Sequence, residues 1–489
     1  MQDTGGHRKT SNSFTPAALR GLILLLPALS SAGELDDGIF QTRFTEVIQP
    51  QIPLVDGVFQ LPEFPPSPRL DWILSELVEG ETTTLSEIES QFEPVFDFNN
   101  LVDFFNDTLR VDFPNARIVD VIGVSAQRAN VVVEGDNPDF GPAYFNVGVV
   151  YAGDQKTNFF SVVPFSGTIQ FPSDQTRTLI EAVDHFQTIS ASNSLFIGRI
   201  DTNNQCEAVY ERQADTPRGI GSIFKTWILG ALAERINQGQ SDLTDLIPLA
   251  ASDLAAGGII NNEPLGTLFS VRDMAVLMMV NSDNTSTDHL HELVGRDAVA
   301  DVLGNYGVVE TDQLLPFLNI SEQFHVFTRF DLPTAQSYVN GSLNFREQFL
   351  DTEILPEGPS FPINFPFFHS ELLANGTWSA SARDICRTFA GLRTLPLNSP
   401  GFEIVDQALG LQASQPGIRN QWERVWFKGG SLTSGATGNH VFASAWLLQQ
   451  DGASKPWVVV ALANDDAGGI SAGQVRSVTS RIIELIGDS

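Results

Sequence analysis

Changes in hydrophobic period divide the chain. Residues 70–77 carry apolar side chains three and four apart, after a proline-rich entry at 61–68, and predict a helix. Thr84 followed by Glu87 has the form of a capping box, predicting a second helix through Phe92 that Pro94 stops. The period then shortens. Residues 118–124, 129–133 and 144–151 are β-branched and alternating, with Gly, Asn and Asp between them, and predict strands. Together these form a small α+β unit over residues 40–163.

Residues 164–175 (PFSGTIQFPSDQ) read as a linker. Beyond it the pattern predicts a helix at 176–188, strands at 195–199 and 207–212, and a helical middle to about 395. Strands at 425–428, 441–449 and 457–464 follow, then an amphipathic helix at 472–486. Strands on both sides of a helical block predict one sheet whose halves are separated by an inserted helical domain, over 176–489.

Composition narrows the function. Among 489 residues, 59 acidic side chains against 28 basic ones give a net charge of −31, which repels nucleic acid and anionic lipid. Lysine is scarce (Lys9, Lys156, Lys225, Lys428 and Lys455), a composition that suits salty surroundings. Two cysteines, Cys206 and Cys386, exclude a disulfide framework and leave open whether they pair. The seven His show no metal-ligand spacing, and His289 and His291 would diverge on a helix, so neither metal nor cofactor is expected. Residues 1–32 have the layout of an export signal: His7, Arg8, Lys9 and Arg20, then a short apolar run at 21–29, then Ser30-Ser31-Ala32. That run is too short to span a bilayer, so a periplasmic or secreted protein without stable membrane insertion is expected.

Three motifs carry chemistry. Ser222 and Lys225 stand three apart at the start of a helix, one turn from each other on one face, as a hydroxyl nucleophile and an amine base require. Ser282-Asp283-Asn284 follows the apolar helix 271–280, where a polar helix stop would also suit these residues. Lys428-Gly429-Gly430-Ser431 ends the strand segment 425–427, its glycines either admitting a substrate against the backbone or making a tight strand-end turn.

In order, and in two of their three spacings, these motifs resemble those of class A serine β-lactamases and penicillin-binding proteins. The resemblance covers about 176–489. With Lys-Gly-Gly-Ser in place of Lys-Thr-Gly, the two-domain plan is most similar to the branch containing the β-lactamase-like protein of clavulanic acid biosynthesis. The N-terminal unit is similar in element order to nuclear-transport-factor (NTF2) or steroid-isomerase folds. The resemblance implies that Ser222 is acylated, Lys225 is its base, and Ser282 passes the proton to the leaving group. Asn284 would hold substrate and Lys225, and Lys428 would add positive potential. Gly430 and Ser431 would line the substrate, with the N–H groups of Ser222 and Ser431 as the oxyanion hole. The partner is then a small acyl substrate, a β-lactam or an ester.

Two departures qualify that reading. Gly429 replaces a hydroxyl that grips the substrate carboxylate, with Ser431, Thr433 or Ser434 as substitutes. No arginine lies between Arg424 and Arg476, which leaves His440 as the cationic candidate there. The deacylating glutamate sits in Glu-x-x-Leu-Asn in class A enzymes; the candidates here are Glu347, in Glu347-Gln-Phe-Leu-Asp351, and Glu322. The expectation is a hydrolase of β-lactamase type with weak deacylation. An esterase or D,D-peptidase on the same machinery, or a non-hydrolytic β-lactam binder, are the alternatives.

Overall fold

The computed structural model describes residues 54–487 except 56–57, 62–64, 95, 125–127, 139, 141, 150–154, 165–168, 170, 310–312, 411–421 and 451–454. The export signal expected over 1–32 lies outside the described residues.

In the N-terminal unit, helices α1 (Pro66–Ser75), α2 (Leu85–Gln91) and α3 (Phe98–Phe104) precede strands β1 (Arg117–Val124), β2 (Arg128–Glu134), β3 (Ala143–Val149) and β4 (Thr157–Pro164). Thr84 and Glu87 form the expected capping box. The strands make an antiparallel meander in chain order. Two elements exceed the sequence reading: α3, opened by Asp97 accepting from the backbone N–H of Asn99 and Asn100, and β4. Phe92, Phe105 and Phe145 are fully buried and meet Phe160 with ring centroids 5.9–6.1 Å apart, so aromatic packing fixes helices to sheet.

The larger part opens with α4 (Leu179–Phe186), capped by Thr178 and Glu181, then β5 (Ser192–Ile200) and β6 (Cys206–Arg212). A helical block follows. It includes α5 (Lys225–Asn237), α6 (Val271–Val280), α7 (Asn284–Val294), α8 (Arg296–Asn305), α9 (Ile320–Thr328), α10 (Leu332–Val339), α11 (Leu343–Phe349), α12 (Ala382–Leu392) and α13 (Pro400–Gly410). Strands β7 (Arg424–Ser434), β8 (Gly438–Gln449) and β9 (Trp457–Asn464) return to the sheet, and α14 (Ala472–Gly487) closes the order. The antiparallel sheet runs β7-β8-β9-β5-β6.

The inner strands of the sheet are buried on both faces, which explains their unbroken apolar runs, whereas the edge strand β6 is largely exposed. Val458, Val460 and Leu462 of β9 face the helical block; Val459, Ala461 and Ala463 face α4 and α14. Helix α5 is buried nearly all round, with Trp227 and Leu229 fully enclosed, which makes it the central helix of the block. Cys206 of β6 and Cys386 of α12 do pair, with Cα atoms 6.2 Å apart, tying the sheet's edge to the block.

One expectation needs correction. Lys428-Gly429-Gly430-Ser431 does not end a strand: β7 continues to Ser434, with Gly429 paired to Ser444 and Gly430 to Ala443 of β8. Gly430 serves close approach to a neighbouring segment rather than a turn.

Candidate active site

The three motifs converge at the edge of β7. Ser222 lies in a single 3₁₀ turn, Gly221–Phe224, which leads directly into α5, so Lys225 sits one turn further along on the same side. A Cβ on Gly221, whose φ is +50°, would lie 2.7 Å from Ser431 N. A Cβ on Gly430 would collide with the carbonyl of Ile220 and lie 2.9 Å from Ser222 N. The two glycines therefore let the backbones holding the Ser222 and Ser431 amides meet at the cavity, the arrangement an oxyanion hole needs.

Beneath them Lys225 is wholly buried. Its Nζ donates to Ser282 O at 2.6 Å and Asn284 Oδ1 at 2.8 Å, and stands 3.3 Å from Ser282 Oγ. Ser282 adopts a left-handed φ of 56°, uncommon for a residue with a Cβ, and presents both its carbonyl and its hydroxyl to Lys225. Asp283, fully buried, holds this corner: one carboxylate oxygen caps α7 through Ser286 N–H at 2.6 Å, and the other accepts from Ile259 N–H. Asn284 Nδ2 donates to Ala256 O at 2.7 Å, which leaves its oxygen toward Lys225.

Burial pushes the Lys225 amine down to about 7, outweighing the nearby Asp283 and Asp288 charges that act the other way. A neutral amine has two N–H donors, which Ser282 O and Asn284 Oδ1 accept, and one lone pair to receive a proton. Lys428 is also buried. Its Nζ donates to Ser282 Oγ at 3.1 Å and to Gly429 O at 3.0 Å, and burial, then the charge on Lys225, drives its pKa well below the ordinary lysine value. Ser282 Oγ is thus within hydrogen-bonding reach of two amines whose protons are loosely held.

A cavity of about 170 Å³ opens beside Ser222. Asn284, Ser431 and Thr433 form its polar edge; Phe324, Phe327, Phe368, Leu373 and Trp378 dominate the rest. Of the proposed hydroxyl substitutes, Ser431 and Thr433 reach it, whereas Ser434 is buried and accepts from Ala436 N–H. His440 is buried and bonded to Thr437 Oγ1 at 2.6 Å, outside the lining. The Arg476 guanidinium lies 5.1 Å over Phe442, the cross-strand partner of Ser431, and burial lowers it to about 10.

Neither glutamate candidate lines the cavity. Glu347 is exposed on α11. Glu322 is buried, but one oxygen pairs with Arg296 at 2.7 Å and the other accepts from Asn319 N–H at 2.8 Å, completing the cap of α9. Leu315-Pro316-Phe317-Leu318-Asn319, which lacks a glutamate and so gives no acidic signal in the sequence, ends in the same Leu-Asn and puts Leu315 where Glu would stand. This segment is held against the site because Asp288 of α7 accepts from Ile320 N–H at 2.7 Å and Ser321 N–H at 3.0 Å. No carboxylate lines the cavity among the described residues. His289 and His291 do part: His289 bonds Ala250 N–H and Thr285 O, while His291 stacks on Phe317 and burial lowers it to about 3.

Residues 177–344 match the model of the "Beta-lactamase enzyme family". Among solved structures, a β-lactamase from Chitinophaga pinensis is 15% identical over 63% of this chain and 97% of its own, with a TM-score of 0.43. A β-lactamase from Sphaerobacter thermophilus is 19% identical over 63% and 94%, at 0.42, and PBP-A is 13% identical over 63% and 95%, at 0.41. Comparison with curated proteins finds no match. Residues 177–344, which carry Ser222, Lys225, Ser282 and Asn284, are thus similar to that family. No helix among the described residues is long and apolar enough to cross a membrane.

Proposed function

We propose that this protein is acylated at Ser222 by a β-lactam or related acyl substrate and releases the acyl group slowly. The observation that carries the reading is the buried Lys225 amine, held by Ser282 and Asn284 one turn from Ser222. Ser222 Oγ attacks the carbonyl carbon while Lys225 takes its proton. The amides of Ser222 and Ser431 hold the oxyanion, each such donor being worth about 3 kcal/mol. As the C–N or C–O bond breaks, Ser282 hands a proton from the two lysines to the leaving atom. Hydrolysis of the acyl-enzyme needs an activated water, and among the described residues the lining offers no carboxylate to activate it, so this step is slow.

Mixing with a chromogenic cephalosporin should give a burst of about one product per enzyme and then slow turnover. Intact-mass spectrometry should show the adduct, and Ser222→Ala should abolish it. Fast turnover without a burst would refute slow deacylation, and failure of every lactam and ester to form an adduct would leave a binding protein. An esterase is the second reading, favoured by the apolar lining. A protein truncated to residues 176–489 should retain Ser222 labelling; a folded one that never labels would assign the N-terminal unit a part in the site.

We also propose export with cleavage near Ala32. A Cys206–Cys386 disulfide supports this, because such bonds persist in oxidising compartments. An intact Met1 on protein from the host's extracytoplasmic fraction would overturn it.

A further inference from the structure

The wall facing Ser222 is built to hold apolar groups. Phe324 and Phe327 project from α9 with ring centroids 6.4 Å apart, and Phe324 stacks on Phe365 at 6.1 Å. The segment that brings Phe368 to the mouth is pinned by its backbone. Phe367 N–H donates to Thr328 O at 3.1 Å, His369 N–H donates to Phe327 O at 3.0 Å, and His369 Nε2 bonds Phe330 O at 2.8 Å. Phe368 is nevertheless 48% exposed, with Phe367 at 44% and Ile363 at 50% nearby. An aromatic ring fixed at a cavity mouth yet left half in water gains most when a ligand covers it. The floor is Trp378, stacked on Phe224 at 3.8 Å two residues from Ser222.

The same lining contains no arginine, histidine, lysine or carboxylate among the described residues. The nearest amines, Lys225 and Lys428, lie buried behind Ser282, and the Arg476 guanidinium covers Phe442. A charged acyl group entering here would lose its water without meeting an opposite charge.

We propose that Ser222 reacts preferentially with uncharged esters of bulky apolar acids, aromatic or medium-chain aliphatic, whose acyl group lies along Phe324, Phe327, Phe368 and Leu373. This rests on the acyl-serine reading above and names the substrate class of that site. The bond from Ser222 Oγ to the acyl carbon forms as the ester C–O bond breaks. The hydroxyl proton passes through Lys225 and Ser282 to the departing alkoxide. Water then cleaves the acyl-enzyme to free acid and regenerated Ser222. No oxidant, reductant or second substrate is required.

The test uses the full-length protein and p-nitrophenyl acetate, butyrate, hexanoate and hemisuccinate below their aggregation concentrations, reading the burst rate constant and the adduct mass on Ser222. Full burial is worth about fourfold per methylene, so partial burial of four added methylenes should raise acylation by hexanoate about 10- to 100-fold over acetate. The hemisuccinate, close in size to the butyrate but anionic, should acylate at least tenfold more slowly than butyrate. Phe368→Ser, at a half-exposed position, should lose threefold or more on hexanoate and lower the hexanoate-to-acetate ratio. Rates independent of chain length, or hemisuccinate faster than butyrate, would overturn the inference while lactam adducts on Ser222 would keep the acyl-serine reading. No adduct from any ester or lactam would bring down both. The series on the unmodified protein decides the matter even if the variant misfolds.

Discussion

A Cβ on Gly430 would lie 2.9 Å from the backbone nitrogen of Ser222. The amide of the proposed nucleophile is thus placed by a side chain that strand β7 lacks. Gly430→Ala should fold, because the intrusion is local, but push the turn at 221–224 off the strand. Acylation should fall about 10²–10³-fold, the scale for losing an oxyanion donor. Gly429→Thr is the control: the nearest atoms to its Cβ would be the Phe427 ring, at 3.2 and 3.6 Å, and Ala443 O at 3.7 Å, so the variant should keep wild-type acylation by neutral esters. With its added hydroxyl it should also react faster with carboxylate-bearing lactams. Burst kinetics on purified, folded variants measure both.

Lys225 must be neutral to act as base. With its pKa lowered to about 7, the acylation rate should rise about tenfold per pH unit below that value and level above it. Lys225→Met should slow acylation by about 10²–10⁴-fold and flatten this profile. A midpoint near 10 in the unmodified protein would contradict a neutral base.

The same shift predicts how stability depends on pH. The unfolded chain keeps the Lys225 proton up to about 10.5, the folded protein only to about 7, so between these values the unfolded state binds more protons. Stability therefore rises with pH across that window, and Lys428 acts in the same direction. Asp273 and Asp288, raised to about 7 mainly by burial, act oppositely below it: their contribution is full below 3.8 and is lost as pH rises through 7. Urea unfolding of the unmodified protein and Lys225→Met should diverge in slope only between pH 7 and 10.5.

Glu322 and Glu347 should separate in stability and agree in chemistry. Glu322→Gln weakens both the Arg296 pair and the α9 cap and should cost about 1–2 kcal/mol, read by denaturant midpoint. Glu347→Gln, on an exposed helix face, should cost under about 0.5 kcal/mol. Neither should change the deacylation rate. A hundredfold slower deacylation in either would identify the missing base.

Opening the Cys206–Cys386 bridge, by Cys386→Ser or by reductant, should cost about 2–5 kcal/mol, since it closes a loop across 180 positions. Thermal unfolding with and without reductant measures this, and an unchanged midpoint would mean that the loop is already held by the core.

Period and order alone determined much of this molecule. Alternation against helical spacing marks strands apart from helices, and the Thr84–Glu87 cap formed as the local sequence demands, because caps and periodicities are properties of a few adjacent residues. The residues proposed for acyl transfer stand out in the chain for a similar reason: Ser222 and Lys225 are one turn apart, and the other two motifs keep a recognisable order. Tertiary structure decided what depends on distant contacts. Only folding brings the Gly430 backbone against Ile220, so that a Lys-Gly-Gly-Ser resembling a strand end is instead the middle of β7. Only folding shows Glu322 spent on Arg296 and Asn319, Cys206 within reach of Cys386, and Phe324, Phe327 and Phe368 gathered from separate segments into one wall. Hydrophobicity marks such residues as buried or not, but which of them face a common cavity is set by how helix and loop pack on the sheet, and no local pattern along the chain encodes it.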